Sequence, residues 1–407
     1  MSYAVVTFGC RVNQADSLAL EAVLSASWGR RASPDAADVV LVNTCAVTAG
    51  AEHSARQAIA RVARVNPDAR IFATGCYATR DAAALRVLPG VRAVWPNDCK
   101  ERLLDRGIPG AGLAGPGVRG RTALFLRIQT GCDQPCAYCT IPATRGRPRS
   151  LAVARVVAAA DLAARQGYGE VVLTGVHAGA YGRDLDPPAT LSDLIEALGS
   201  CDARLRFRLS SIEPMDCSDR LLAAIERSQR VVPHFHLPLQ HGSNEVLARM
   251  RRPYRVEQWL RLVGAIRGQW PCAAIGTDVI AGFPGETKDE FEATLGVLRR
   301  CPLGYLHAFP YSDRPGTEAS SMPAKVPAAT IRRRVAALRA IGDERRAAFA
   351  AAQVGGVRDA ITLRDPTVAL TDNYLKVRIP PGHAPNTRLA VRITSAAPLA
   401  GAIARKR

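Results

Sequence analysis

Three cysteines lie close together in the segment GCDQPCAYCTIPATRGRPRS, which covers residues 131–150. They are Cys132, Cys136 and Cys139, and their C-x3-C-x2-C spacing places three thiols within eight positions. A closed structural zinc site needs a fourth ligand, and this segment contains no histidine. A thioredoxin-like pair would use two of the thiols and leave the third idle. An iron–sulfur cube normally takes four thiolates, so three would leave one iron open to bind a substrate or cofactor.

Three further cysteines end three apolar runs in the first hundred residues. The runs are YAVVTFGC, ADVVLVNTC and ARIFATGC, and they end in Cys10, Cys45 and Cys76. Each run predicts a buried strand, and the stretches 14–27 and 52–65 have a helical pattern. Parallel strands bring their carboxyl ends to one edge of a sheet, so we expect these thiols to converge. A single such cysteine would be interpreted as an ordinary core residue. Three cysteines at the same position, at the end of three successive strands, favour a shared site.

The elements that must position the second group of thiols follow from the rest of the sequence. Six strand-like runs begin near residues 124, 170, 206, 234, 275 and 304. Their spacing leaves room for a helix after each strand, which predicts a full or partial (β/α) barrel with its site at the carboxyl ends of the strands. An arginine-rich helical stretch at 327–353 follows, and the last fifty residues predict a small all-β module.

The predicted fold class is therefore α/β, with four parts along the chain. An N-terminal parallel α/β domain covers 1–106, and a Gly/Pro-rich linker covers 107–121. The barrel with its trailing helix covers 122–353, and the β module covers 354–407.

Composition indicates a partner and a compartment. The chain of 407 residues has a formal net charge of +18, with 54 basic residues against 36 acidic ones. Arginine accounts for 49 of the basic residues, and its planar fork suits phosphate, so nucleic acid is the expected partner. Coding bias would explain arginine in place of lysine but not the surplus of basic residues. The start has no signal-peptide pattern and no apolar run is long enough for a membrane span, so we expect a cytoplasmic protein without membrane contact.

The three-cysteine segment after the first barrel strand resembles the radical S-adenosylmethionine (SAM) superfamily. Nine segments, in order along nearly the whole chain, are similar to its methylthiotransferase family: FGCRVNQADS, VNTCAVT, ATGCYA, GCDQPCAYCTIPATRGRPRS, LTGVHAGAYG, LSSIEP, HLPLQHGSN, DVIAGFPGET and FPYSDRPGT. This resemblance implies that Cys132, Cys136 and Cys139 are catalytic and hold a [4Fe–4S] cluster whose open iron chelates SAM. It implies that Cys10, Cys45 and Cys76 hold a second [4Fe–4S] cluster, and that the β module is a TRAM domain.

The resemblance also implies a reaction and its partners. In this family a radical made from SAM opens a carbon–hydrogen bond, the second cluster presents sulfur, and another SAM donates the methyl group. We expect tRNA as the substrate and a flavodoxin- or ferredoxin-type protein as the electron donor. The competing class is a nucleic-acid-binding protein with a structural zinc or cluster and no catalysis.

Three branches of the family differ in substrate, and the segments around Cys10 and Cys45 resemble one of them most closely. That branch modifies carbon 2 of N6-threonylcarbamoyladenosine at position 37 of tRNA. The alternatives are isopentenyladenosine in tRNA and an aspartate of a ribosomal protein. One departure is His241 in HLPLQHGSN, where the threonylcarbamoyladenosine branch would have serine. We interpret it as a loop histidine with satisfied hydrogen bonds.

Five residues at other strand ends carry weaker signals. The predicted contacts with SAM are Gly175, Ser210, Ser211, Gly282 and Glu286. The alternative is that these residues are there only because they suit tight turns.

Three arginines follow the barrel cysteines. Arg145, Arg147 and Arg149 are expected to meet phosphates or a cofactor carboxylate, with a solvated basic loop as the alternative. Five other cysteines have no partner spacing and are interpreted as bystanders: Cys99, Cys201, Cys217, Cys272 and Cys301.

Overall fold

The computed structural model describes residues 1–105, 115–116 and 122–404, with the side chains of Trp28 and Asp105 left out. Apart from 115–116, the predicted linker lies outside the described residues, as does the basic end of the chain at 405–407. No helix within the described ranges has the length and apolar content needed to cross a membrane.

The first domain is a parallel sheet flanked by helices. Its elements are β1 (Ser2–Thr7), α1 (Arg11–Trp28), β2 (Arg30–Arg31), β3 (Val39–Thr44), α2 (Ala49–Val65), β4 (Arg70–Gly75), α3 (Cys76–Arg80), α4 (Ala82–Arg86), β5 (Val91–Trp95) and α5 (Asn97–Asp105). The strand order is β2-β1-β3-β4-β5, and every pairing is parallel. All six residues of the central strand β3 are buried, as a strand with helices on both faces requires. The three predicted strands and both helices are confirmed.

The second part is a partial barrel. Its elements are β6 (Ala123–Thr130), α6 (Ile141–Arg145), β7 (Arg149–Ser150), α7 (Val153–Arg165), β8 (Glu170–Gly175), α8 (Leu191–Ala197), β9 (Arg206–Leu209), α9 (Asp219–Ser228), β10 (His234–His236), α10 (Asn244–Arg249), α11 (Val256–Gln269), β11 (Ala274–Ala281), α12 (Lys288–Arg300), β12 (Tyr305–Pro310), α13 (Glu318–Ser321) and α14 (Ala328–Ala351). The sheets β7-β6-β8-β9 and β10-β11-β12 are joined by parallel bridges at Phe207–Val231 and Ser211–His236. The six predicted strands are thus confirmed as one curved parallel sheet, with β7 antiparallel at its edge.

Alternation along the strands separates two environments in this barrel. Phe235 and Ile275 belong to the hydrophobic core under the helices. Residues one position away face inward: His234 and His236 contact the hydroxyl of Tyr305 at 2.8 and 2.9 Å. The outer layer therefore stabilises the barrel, and the inner face is left polar and aromatic.

The C-terminal module is a closed five-stranded barrel. Its strands are β13 (Val357–Thr362), β14 (Val368–Thr371), β15 (Lys376–Arg378), β16 (Arg388–Ala396) and β17 (Leu399–Ile403), in the order β13-β14-β15-β17-β16. The predicted all-β module is confirmed. The run VALTDNYLKVRIP proves to be two strands, β14 and β15, with a turn at Tyr374 between them.

A buried charge group attaches this module to the larger barrel. Arg206 and Arg208 on β9 both pair with Glu170 on β8, at 2.7 and 2.9 Å, and all three side chains are almost fully buried. Arg206 also donates to the carbonyl oxygen of Leu370 at 3.0 Å, and Arg208 donates to that of Asp372 at 2.9 Å. The carboxylate of Glu170 thus fixes two arginines, and their other N–H groups donate hydrogen bonds to backbone carbonyls of the C-terminal module.

Candidate active site

The first-domain cysteines, Cys10, Cys45 and Cys76, meet at one edge of the first sheet. Each follows one of the neighbouring parallel strands β1, β3 and β4. Burial raises the pKa of Cys45 to about 12, and the neighbouring thiols of Cys10 and Cys76 also raise it. Cys10 is exposed and the other two are buried. The convergence expected from the strand pattern is confirmed, and one thiol of the group remains open to the outside.

A buried arginine from the barrel reaches this first group of thiols. Nε of Arg145 donates to Sγ of Cys76 at 3.3 Å. Nη2 of the same side chain donates to Asn13 at 2.5 Å and to Asp16 at 3.0 Å. Burial alone would raise the pKa of Cys76, but the charges of Arg145 and Lys100 outweigh it and lower the pKa. The arrangement favours a thiolate at Cys76.

The placement of Arg145 corrects the expectations of a phosphate contact and of a solvated loop. Its side chain is buried, and its donors are taken up by Thr130, Asn13, Asp16 and Cys76. An arginine enclosed by a carboxylate and a thiol cannot reach an RNA backbone. The other two arginines of the segment, Arg147 and Arg149, are exposed. A contact with phosphate therefore stays a prediction for these two residues.

Asp16 is the shared counter-ion in this part of the domain boundary. It pairs with Lys100 at 2.7 Å, Arg127 at 2.7 Å and Arg145 at 3.0 Å. Burial alone would raise the pKa of Asp16, but these three cations outweigh it and hold the pKa well below its ordinary value. The carboxylate is therefore ionised and fixes the position of Arg145 against Cys76.

The barrel cysteines, Cys132, Cys136 and Cys139, lie in the loop after β6. Backbone N–H groups of Gln134 and Ile141 donate to Sγ of Cys132 and Cys139, each at 3.4 Å. Hydrogen bonds to sulfur are one means by which proteins tune the potential of an iron–sulfur site. The loop thus presents its thiols with backbone donors already turned towards two of them.

Two polar side chains that the sequence did not single out contact the barrel cysteines. Nη1 of Arg252 donates to Sγ of Cys136 at 3.1 Å, and this arginine also pairs with Glu213. Nδ1 of His177 lies 3.7 Å from Sγ of Cys132, and its Nε2 lies 2.5 Å from Asp216. His177 stands in LTGVHAGAYG directly after β8, so a histidine at a barrel strand end was the available signal. Arg252 had none, because it lies 116 positions from Cys136.

Burial and hydrogen bonding act in opposite directions on His177. Burial alone would lower its pKa, but the hydrogen bonds to Asp216 and Cys132 outweigh it and raise the pKa to about 10. The imidazolium form therefore places a positive charge beside Cys132, as Arg252 does beside Cys136.

One loop connects the two groups of thiols. The backbone N–H of Cys132 donates to the carbonyl of Gly146 at 3.1 Å, and Arg145, the residue before that glycine, contacts Cys76. Arg314, after β12, pairs with Glu52 on α2. The first domain therefore lies over the carboxyl ends of the barrel strands, where a barrel places its chemistry.

The five weaker candidates fall in two places. Gly175 is the last residue of β8, and Ser210 and Ser211 follow β9. The hydroxyl of Ser210 is buried and has no hydrogen-bond partner among the described residues. The carboxylate of Glu286 is buried and accepts a hydrogen bond from the N–H of Gly282. It also pairs with His241 and Arg334. The first three remain predicted cofactor contacts at strand ends. The other two form a loop whose polar groups are already paired with one another.

His241 belongs to this second place. Its ring is fully buried and lies 3.3 Å from Glu286 and 3.2 Å from the hydroxyl of Thr294. Ser243 donates its backbone N–H to the ring at 3.1 Å. The histidine therefore has satisfied hydrogen bonds, as interpreted from the sequence, and its partners come from its own loop, from the loop after β11 and from α12.

Comparison with known proteins identifies the family. Residues 126–298 match the model of the radical SAM superfamily, and residues 2–95 match an uncharacterized protein family, UPF0004. A threonylcarbamoyladenosine tRNA methylthiotransferase, MtaB, of Aquifex aeolicus is 35% identical over 398 residues, which cover 93% of this chain and 96% of that protein. The MtaB of Bacillus subtilis is 34% identical, with 91% and 88% covered. The chain belongs to the radical SAM methylthiotransferases.

Other relatives of this methylthiotransferase carry a different name. A tRNA-2-methylthio-N(6)-dimethylallyladenosine synthase of Acidothermus cellulolyticus is 35% identical, covering 88% of this chain and 77% of that protein. Among solved structures, the radical SAM methyltransferase TsrM of Kitasatospora setae superimposes with a TM-score of 0.56 at 16% identity, covering 78% and 76%. That likeness supports the fold of the enzyme.

Methylthiotransferases of this superfamily bind SAM and two [4Fe–4S] clusters, and the two cysteine groups fit such clusters. Among the described residues, the ligand atoms of Cys132, Asp133 and His177 lie within 4.8 Å of one another, as do those of His236, Asp278 and His307, but the three sulfur atoms of neither cysteine group do. Zinc at about 2.3 Å from each sulfur would need them roughly 3.8 Å apart. Each group also has a buried arginine on one thiol, which offsets the negative charge of a thiolate-ligated cluster. The donor set and its surroundings therefore suit a multi-iron group better than a single ion.

A glycine before Cys10 gives a direct test of the first group in this methylthiotransferase. Gly9 has φ +91°, and a Cβ added there would lie 2.5 Å from Sγ of Cys45. We expect Gly9→Ala to displace that thiol and to lower the iron content of reconstituted protein from about eight atoms per chain towards about four. The measurement is iron and acid-labile sulfide per chain.

The matched control is Gly50→Ala in helix α2 of the same domain. Its nearest atom is the hydroxyl of Thr48 at 4.0 Å, so an alanine has room and suits the helix. We expect this control to hold as much iron as the native enzyme. About eight iron atoms in the Gly9→Ala protein would mean that the added methyl group does not displace the Cys45 thiol, and about four in the native enzyme would mean that the first-domain thiols hold no cluster.

Proposed function

We propose that this enzyme adds a methylthio group to carbon 2 of N6-threonylcarbamoyladenosine at position 37 of tRNA. The observation that carries the proposal is the match to the MtaB proteins, which extends over 88–96% of their length in the Aquifex and Bacillus relatives. The relatives named for dimethylallyladenosine reach similar identity but are covered over 77% of their length in Acidothermus. Isopentenyladenosine is therefore the second candidate.

The charge of the chain supports tRNA as the partner. A net charge of +18 would favour association with a polyanion and make binding depend on salt. Arg147 is exposed in the segment after the barrel cysteines and is available for phosphates, whereas Arg149 is exposed but lies 3.9 Å from the carboxylate of Glu101. We also propose a flavodoxin- or ferredoxin-type protein as electron donor.

Within this function the two cysteine groups have different roles. The barrel cysteines would hold the cluster that binds SAM, and the first-domain cysteines would hold the second cluster. When bound, the barrel cluster would supply the electron that cleaves SAM, and the first-domain cluster would supply sulfur. Arg145 and Arg252 orient one thiol in each group by donating to it, and the first domain lies over the carboxyl ends of the barrel strands.

The remaining residue assignments and the domain division extend this proposal. Contacts with SAM at strand ends are assigned to Gly175, Ser210 and Ser211, whereas Gly282 and Glu286, also predicted from the sequence to contact SAM, would shape a strand end through their own hydrogen bond. The working domains are 1–106, 122–353 and 354–407, with 107–121 as the linker.

A competition experiment tests the substrate. Equal amounts of anticodon stem-loop RNA carrying threonylcarbamoyladenosine and isopentenyladenosine are incubated anaerobically with the reconstituted enzyme, SAM and dithionite. We expect mass spectrometry of the nucleosides to find the 2-methylthio derivative of threonylcarbamoyladenosine, and Cys136→Ala to yield none. Methylthiolation of the isopentenyladenosine RNA instead would replace the proposed substrate by the second candidate.

A further inference from the structure

Arg11 directly follows Cys10 and has a guanidinium with open donors. The side chain is half-buried, and Nη2 donates to the hydroxyl of Tyr374 at 2.8 Å. Its central carbon lies 5.8 Å from the centre of the same ring. Within the described residues, no aspartate or glutamate forms an ion pair with Arg11, and Tyr374 is its one side-chain partner. A guanidinium has five N–H donors, so most of them remain available to an anion.

Tyr374 is held firmly by the barrel although it belongs to the C-terminal module. Its ring centre lies 4.3 Å from that of His234 and 5.4 Å from that of Tyr305. The guanidinium of Arg208 lies 5.2 Å from it on the buried side. All three parts of the chain therefore set the position of Arg11, and they do so beside an exposed cysteine of the first domain.

The barrel wall next to Tyr374 is open and aromatic. Along β12, His307 and Phe309 are exposed, with 51% of the His307 side chain and 41% of Phe309 accessible. The ring of His307 lies 5.2 Å from that of Tyr305, and its Nδ1 lies 3.0 Å from the carboxylate of Asp278. Exposed aromatic rings on the inner face of a barrel strand provide a surface on which a nucleobase can stack.

The proposed substrate and its nearest competitor differ in charge. The threonylcarbamoyl group carries a carboxylate, whereas the isopentenyl group is apolar. An arginine with free donors matches a carboxylate in a bidentate pair. An apolar group in the same place would leave a half-buried guanidinium without a partner, which opposes binding.

We propose that Arg11 binds the carboxylate of the threonylcarbamoyl group, and that Tyr374 is a positioning residue that holds the guanidinium. This inference rests on the proposed function and names the residue that selects its substrate. It also gives the C-terminal module a role at the active site, in addition to any contact with RNA. SAM also carries a carboxylate, so the test separates the two sources.

The experiment compares stem-loop RNA carrying threonylcarbamoyladenosine with the same RNA carrying its methyl ester, which lacks the charge. We expect the native enzyme to prefer the free acid by about 10- to 100-fold in kcat/KM, the range of one charge-assisted contact. Arg11→Gln should treat acid and ester alike, Arg11→Lys should keep part of the preference, and Tyr374→Phe should lose a smaller part. Arg64→Gln, an exposed arginine of the same domain, should keep the full preference.

Three further readouts decide the interpretation. Iron per chain, 5′-deoxyadenosine formed without RNA and the KM for SAM should all be unchanged in Arg11→Gln. A preference retained by Arg11→Gln overturns the inference, as does a raised KM for SAM or a loss of iron in that variant. A native enzyme that modifies only isopentenyladenosine RNA overturns the proposed function itself, and the two failures are thus distinct.

Discussion

Replacing Cys10, Cys45 and Cys76 together by alanine is expected to abolish methylthiolation while cleavage of SAM continues. The barrel cysteines, their backbone donors and Arg252 lie in the barrel and are untouched by these changes. In the proposed function, sulfur insertion depends on the first-domain group, which the variant lacks. The triple variant should therefore make 5′-deoxyadenosine under reducing conditions and no detectable 2-methylthio nucleoside.

Two comparisons complete this experiment. Cys136→Ala should make neither product, because it removes a thiol of the SAM-chelating group. Cys272→Ala, at an exposed cysteine far from both groups in sequence, should behave like the native enzyme. Reconstituted triple variant should hold about four iron atoms in place of about eight. Normal methylthiolation by the triple variant would make the first-domain thiols ordinary core residues.

Glu170→Gln is expected to destabilise the attachment of the C-terminal module by about 3–5 kcal/mol. The change leaves Arg208 buried without an ion-pair partner among the described residues and leaves Arg206 with Asp359 alone at 3.0 Å, and removing one partner of a buried ion pair carries this cost. Hydrogen exchange followed by mass spectrometry should show faster exchange in residues 357–404, and urea unfolding should begin at lower concentration. Glu196→Gln, at an exposed pair with Arg227, should change stability by less than about 1 kcal/mol.

The same carboxylate predicts a dependence on pH. Burial alone would raise the pKa of Glu170, but the charges of Arg208 and Arg206 outweigh it and lower the pKa to about 2. Since the folded pKa is depressed, its contribution is complete above about pH 4.5 and is lost as pH falls towards 2. The stability difference between native protein and Glu170→Gln should shrink across that window. A difference that stays constant would mean that Glu170 does not titrate with unfolding.

The sequence was sufficient for the elements and the six cysteines because their signals are local. The apolar runs that became β1, β3 and β4 each end next to a cysteine, and parallel pairing then fixes where those ends meet. The short edge strand β5 is not predicted from the sequence because VRAVW is half-exposed and has an arginine at its second position. Strand β17 was missed because LAGAI has little β propensity and is completed by closure of the barrel.

The partners of the thiols could not be predicted, because they depend on tertiary contacts. Arg145 meets Cys76 across 69 positions, and Arg252 meets Cys136 across 116. Arg11 meets Tyr374 across 363 positions, through a module for which the sequence predicted a small all-β fold and no contact with the site. Composition indicates that arginines are abundant, but the fold decides which ones are buried against sulfur and which remain open.

The most direct test of the proposed reaction is nucleoside mass spectrometry of tRNA from cells with and without this gene. We expect the 2-methylthio derivative of N6-threonylcarbamoyladenosine to be absent from the cells that lack the gene and to return with the native gene, while the 2-methylthio derivative of isopentenyladenosine is unaffected. The gene carrying Cys136→Ala should not restore it. Loss of the isopentenyladenosine derivative alone, or no change in any 2-methylthio nucleoside, would contradict the proposed function.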